Sequence, residues 1–247
     1  MHSVRKGLLA GLSASLLLVS LTGAAAAHGQ TATYRVTITN LTDGQPFTPP
    51  LVALHRPNVD VFSVGSKASF GVKEIAENGN LMPLLSALGS TKGVGAVEAA
   101  GAPVVPAGSI GETDPALGFS STSTLTITAP KNVTRFSWVS MLLCTNDGFT
   151  GVDTVRLPKH VGDSVSRSTA GYETSTEMNT EEYGDIVMPC QILITGTDVP
   201  GTAMSNPALA ENGVIRHHEG IDGIADLIVS LHGWENPVAT IVVERIG

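Results

Sequence analysis

The chain has 247 residues, 42% of them apolar, 15% charged and 4% aromatic, which is enough for a real hydrophobic core, and its Gly and Pro usage excludes collagen-like and low-complexity classes. With 14 Lys+Arg against 22 Asp+Glu the net charge is -8, a balance that disfavours nucleic-acid backbones and suits a hard cation such as calcium. Two cysteines exclude a disulfide-dense scaffold and a four-thiolate zinc site.

Arg5 and Lys6 precede an apolar, uncharged run over 8–22 and small residues over 23–27. This is the layout of a secretory signal peptide, expected to be cut after Ala27, so that 28–247 forms the mature domain in an extracellular or periplasmic setting. An uncleaved anchor is the alternative, but the run is short for a hydrocarbon core of ~30 Å. No Cys follows it to carry a lipid, and no later segment is long and apolar enough to span a membrane. Loss of Arg5 and Lys6 leaves 12 Lys+Arg against 22 Asp+Glu, a net of -10. Export also bears on Cys144 and Cys190. In an oxidising compartment they are expected to pair, closing a long loop worth roughly 4 kcal/mol by chain entropy; two separate buried thiols are the alternative.

Residues 33–41 alternate, with Tyr34, Val36 and Ile38 on one face and Arg35, Thr37 and Thr39 on the other, which predicts a half-buried strand. Breaks follow at Gly44-Gln45-Pro46 and Pro49-Pro50. Over 68–88, Val72, Ile75 and Ala76 recur at helical spacing. Asn78-Gly79-Asn80 interrupts, and Leu81, Leu84, Leu85 and Leu88 resume it, predicting two short helices with core leucines. The Gly-, Ala- and Pro-rich segment 93–118 reads as a long surface loop. Strands are predicted over 121–128, 133–143, 151–157, 224–231 and 237–245, the second of them a long apolar run that crosses the core, and 160–222 reads mostly as loops. Many short strands with little helix predict an all-β, antiparallel β-sandwich.

No G-x-S-x-G, P-loop, H-E-x-x-H or C-x-x-C motif is present. His217-His218-Glu219, with Asp222 nearby, offers imidazole and carboxylate ligands for a transition metal, and with them an exported metal-dependent hydrolase as the rival function. Adjacent side chains in an extended segment point to opposite faces, however. A second group is rich in oxygen: Asp147, Glu173 and Glu177, followed by Glu181, Glu182 and Asp185. Calcium takes six to eight oxygens, which loop carboxylates supply, although the EF-hand spacing is absent. Two Trp and three Tyr leave few aromatic platforms for a carbohydrate-binding module.

Four segments resemble the spondin N-terminal domain family in order along the chain. Ala76-Glu77-Asn78-Gly79 and the leucines after it resemble a helical segment of microbial members. Asn146-Asp147-Gly148-Phe149 with Gly151-Val152-Asp153 stands where animal members have Pro-Asp-Trp-Phe-x-Gly-Val-Asp. Gly171-Tyr172-Glu173-Thr174-Ser175-Thr176-Glu177 resembles their Tyr-Asp-Ala-Gly-Thr-Asp, and 213–223 resembles a His-x-Gly element near the C-terminus. The resemblance implies a secreted β-sandwich that binds one calcium ion through Asp147, Glu173 and Glu177. It also implies non-catalytic binding to a protein or glycan partner at the cell surface or matrix. Glutamate replaces two family aspartates, which moves the oxygen one methylene outward.

Overall fold

The computed structural model describes residues 31–199, 201–202 and 204–247; the signal-peptide reading over 1–27 lies outside them. The strands are β1 (Thr31–Asn40), β2 (Leu51–His55), β3 (Val94–Ala99), β4 (Thr122–Pro130), β5 (Arg135–Met141), β6 (Gly148–Arg156), β7 (Ser164–Thr169), β8 (Gly171–Glu173), β9 (Arg216–His217) and β10 (Ala239–Arg245). Helices α1 (Phe70–Asn78), α2 (Met82–Ser90), α3 (Ile110–Thr113), α4 (Pro189–Thr195) and α5 (Val229–His232) lie between them. One sheet has the order β4-β1-β10-β7 and the other β3-β2-β5-β6-β8-β9. Every pairing between these strands is antiparallel, as expected for the all-β sandwich.

Alternation in β1 sets the first sheet. Tyr34, Val36 and Ile38 are buried, whereas the opposite face pairs threonine hydroxyls across the ladder to β4, Thr33 with Thr128 and Thr39 with Thr122. The inter-sheet core places Val36, Ile38, Ile127, Ile241 and Val243 against Val52, Leu54, Phe136 and Trp138. The second sheet is buried on its other face as well. There Leu51, Ala53, Val139, Met141 and Phe149 pack against Val72, Ile75, Ala76, Leu84 and Leu88 of α1 and α2. A strand covered on both faces favours apolar residues on both, and β5 accordingly carries Phe136, Trp138, Val139 and Met141, interrupted by the buried hydroxyls of Ser137 and Ser140.

The two helices follow their sequence signals. Ser69 caps α1 by accepting from the Val72 N–H, and Gly79 ends it at φ 64°, a backbone conformation that favours glycine. Pro83 sits in the first turn of α2. Gly71 lets the helices touch, since a Cβ there would lie 2.7 Å from the Leu84 Cα. Leu84 and Leu88 are core, whereas Leu81 and Leu85 are half-buried.

Two expectations are corrected and a third is refined. The presumed loop 93–118 contains edge strand β3, paired with β2, and the single turn α3. Small residues in GVGAVEA hide the alternation of a strand that is only partly buried. The segment 160–222 is mostly loops, as predicted, but it also carries β7, β8, β9 and α4; β7, with sequence SVSRST, buries only Thr169 fully, so no apolar period marks it. The predicted strand 224–231 does not form. Ile224, Ile228 and Val229 are exposed, and the chain makes the turn of α5, whose last residue His232 is fully buried, its Nε2 2.6 Å from Gln191 Oε1.

Cys144 and Cys190 are disulfide-bonded, with Cα atoms 5.0 Å apart. The bridge ties the end of the β5 segment to α4 and lies in a third apolar cluster with Ile186, Ile194, Ile221 and Leu227. Among the described residues no helix is long and apolar enough to cross a membrane.

Candidate functional site

The β5–β6 turn is built around Thr145. Its hydroxyl donates to Leu142 O at 2.6 Å and accepts from Gly148 N–H at 2.8 Å. Position 148 must be glycine, because a Cβ would meet Thr145 Oγ1 at 2.3 Å. Asp147 is thereby driven inward and is 0% exposed. Its Oδ2 accepts from the Thr174 hydroxyl at 3.0 Å, Thr176 N–H at 2.7 Å and Glu177 N–H at 3.2 Å. One carboxylate oxygen thus folds the loop after β8 over the β5–β6 turn, and Ser175 inside that loop takes a φ of 51°. The other oxygen, Oδ1, is buried without a hydrogen-bond partner. Burial pushes the Asp147 carboxyl up to about 6, against the hydrogen bonds from Thr176, Glu177 and Thr174, and the charge of Glu173 adds to the rise.

Glu177 is 3% exposed and accepts from Asn206 N–H at 2.7 Å. Burial raises its carboxyl to about 7, opposed by the Asn206 bond and reinforced by the charges of Glu77, Asp147 and Asp185. Glu173 is 1% exposed, but both of its oxygens are engaged, Oε1 by Arg216 Nε at 2.9 Å and Oε2 by Asn179 Nδ2 at 3.1 Å. Its carboxyl is also raised by burial, with Arg216 acting the other way.

The remaining acids divide by role. Glu181 is buried and its two oxygens accept from Asp222 N–H at 2.6 Å and Ile224 N–H at 2.9 Å, pinning that loop. Asp185 accepts from the Thr180 hydroxyl and the Asn206 amide. Glu182 is exposed. One member of the cluster is absent from the sequence reading, the buried Glu77 of α1, which accepts from the Thr176 hydroxyl at 2.6 Å and from Ser205, with Lys73 Nζ 3.5 Å away. An acid in the last turn of a helix opposes the dipole. That conflict is the signal in the sequence that could have flagged Glu77. Arg216 has no comparable signal, because only the β8–β9 pairing brings it to Glu173.

The structure therefore sets Glu173 and Glu177 each near enough to Asp147 for their charges to interact with it. Yet among the described residues no three His, Cys, Asp or Glu side chains converge as a ready ligand set for a metal ion. Calcium chemistry fits Asp147, whose buried Oδ1 lacks a partner, and the hydroxyl and carboxylate oxygens beside it. It does not fit Glu173 as placed, since Arg216 and Asn179 hold it.

The His217, His218 and Glu219 cluster does not assemble. His217 is exposed and lies against Tyr172, with ring centroids 5.0 Å apart. His218 points inward to Trp234, also at 5.0 Å, and its Nδ1 accepts from Gly220 N–H at 3.0 Å. Burial and the charge of Arg216 push the His218 imidazole down to about 4. The two rings lie on opposite faces because β9 is extended.

In comparisons with known proteins, no family model matches the chain and no curated protein is significantly similar to it.

Proposed function

We propose that the chain is a secreted, non-catalytic binding module in which calcium joins the turn at Asp147 to the loop at Glu177, shaping one end of the sandwich for a protein or glycan partner at the cell surface or matrix. The observation that carries this reading is the buried Asp147 Oδ1, an acceptor without a donor at the junction of the two loops. A carboxylate in that position requires a proton or a cation. The resemblance to spondin N-terminal domains supports the same site and adds Glu173, which joins only by releasing Arg216. End loops are also where sandwiches carry their binding surfaces.

Titration of the purified protein with calcium, followed by melting temperature and calorimetry, tests the reading. Binding to the native state alone raises the melting temperature by mass action, and magnesium, which demands smaller octahedral geometry, gives less. Asp147→Asn and Glu177→Gln each weaken the response strongly, Glu173→Gln weakens it less, and Glu219→Gln leaves it unchanged. No shift and no heat at millimolar calcium overturns the site.

A further inference from the structure

A cleft of about 500 Å³ lies at the other end of the β5–β6 hairpin, and five cations surround it: Lys131, Arg135, Arg156, Lys159 and Arg245. No Asp or Glu lines it. In a chain whose net charge is -8, that concentration runs against the average. Among the described residues the Lys/Arg ion pairs are Arg35 with Glu244, Lys73 with Glu77 and Arg216 with Glu173, so none of the five is neutralised. Arg135 and Arg156 are moreover directly opposed across the β5–β6 ladder, a placement of like charges that costs stability. Two of the five are positioned by the backbone. Arg135 donates to Thr134 O at 3.1 Å, and Arg245 donates to Gly247 O at 3.1 Å and to Lys159 O. The floor is apolar, from the buried Tyr34, Val133 and Leu157.

We infer that this cleft is a binding site for a multiply charged oxyanion, a phosphate or sulfate group carried by a ligand of about monosaccharide size. Guanidinium forks match the tetrahedral oxygens of such groups bidentately. The volume falls in the range of small-molecule sites, roughly 300–1,000 Å³, and the apolar floor suits the carbon skeleton of an ester. A bound dianion removes the repulsion between Arg135 and Arg156, so the ligand supplies what the opposed pair lacks.

The test is calorimetric and thermal titration with sodium sulfate, sodium phosphate, glucose 6-phosphate and glucose 6-sulfate, each against sodium chloride at equal ionic strength. Saturable binding above the chloride control is expected. It weakens about tenfold or more in Arg135→Gln combined with Arg156→Gln, as when a charged hydrogen-bonding partner is removed, and persists in Arg35→Gln, which lies outside the cleft. Because the double variant removes a repulsion, it folds, and circular dichroism verifies this. Equal affinity for the free ions and the esters assigns an inorganic oxyanion. Tighter binding of an ester assigns the sugar-linked source. A response no greater than chloride, or one that survives in the double variant, overturns the inference.

Discussion

At the closed end of the β5–β6 hairpin the buried charged groups are carboxylates, those of Asp147, Glu173, Glu177 and Glu181. At its open end, about 20 Å away by strand rise, the charges are cations around an open cleft. The closed end spends its carboxylates on backbone donors: Asp147 holds Thr176 and Glu177 N–H, Glu177 holds Asn206 N–H, and Glu181 holds Asp222 and Ile224 N–H. Those acids organise loops at the cost of desolvation. The open end leaves its cations without acidic partners, and water and salt screen them. One end is therefore rigid and electrostatically strained by burial, whereas the other is open and strained by like charge.

The largest effect should come from unlocking the closed end. Reduction of the Cys144–Cys190 bridge, or Cys144→Ala with Cys190→Ala, restores the entropy of a loop spanning 46 residues, which amounts to roughly 4 kcal/mol. Urea unfolding of the oxidised and reduced protein measures it. The bridge sits three residues from Asp147, so reduction should also blunt the calcium response while leaving oxyanion binding intact. Equal loss of both would mean that the two ends do not behave independently.

The pH dependence of the metal-free protein comes next. The Asp147 carboxyl is raised from 3.8 to about 6, so the folded state takes up a proton where the unfolded chain does not. The stability so gained is complete below about pH 3.8 and is lost as pH rises through 6, in all about 3 kcal/mol. Glu177, raised to about 7, acts in the same direction. His218 acts oppositely. With its pKa lowered from 6.5 to about 4, the stability it contributes is present above 6.5 and is lost as pH falls through 4. Melting temperature should therefore peak near pH 4 and fall from there to about pH 7. Asp147→Asn should raise stability at pH 7.5 and flatten that fall, and calcium should do the same to the unmutated protein. An unchanged slope in the variant would mean that the carboxyl is not held in the buried state described.

The comparison also separates what was legible in the sequence from what was not. Strands β1, β4, β5 and β10 announce themselves by alternation or by a continuous apolar run, and Asn78-Gly79 marks the helix break. Strand β2 is missed because five fully buried residues after Pro49-Pro50 look like the end of a turn. Strand β7 is missed because it carries Ser, Thr and Arg rather than an apolar period, and β8 and β9 because three and two residues are too short to show one. At the closed end, Asp147, Glu173 and Glu177 stand in an oxygen-rich group that the resemblance singles out, but spacing could not reveal that Arg216 occupies Glu173 or that Glu77 lies beside them from α1. The basic cleft was invisible. Its cations lie between positions 131 and 245, and only the register of β5 on β6 and the return of β10 beside β1 gather them.

The smallest effect concerns the open end without its ligand, and there the sign carries the argument. Directly opposed like charges on a ladder destabilise by some tenths of a kcal/mol, so Arg135→Gln with Arg156→Gln should stabilise the protein by roughly 0.2–1 kcal/mol at low salt. Arg35→Gln should do the reverse or nothing. Arg35 is an exposed residue paired with Glu244 at 3.2 Å, and such pairs contribute between about 0 and 1 kcal/mol. In 1 M sodium chloride the screening length falls to about 3 Å, and both differences should vanish. Thermal melts of the three proteins at low and high salt decide the matter. If the double variant is less stable than the parent at low salt, the two guanidiniums make favourable contacts in the folded protein, and the open end is not strained by like charge.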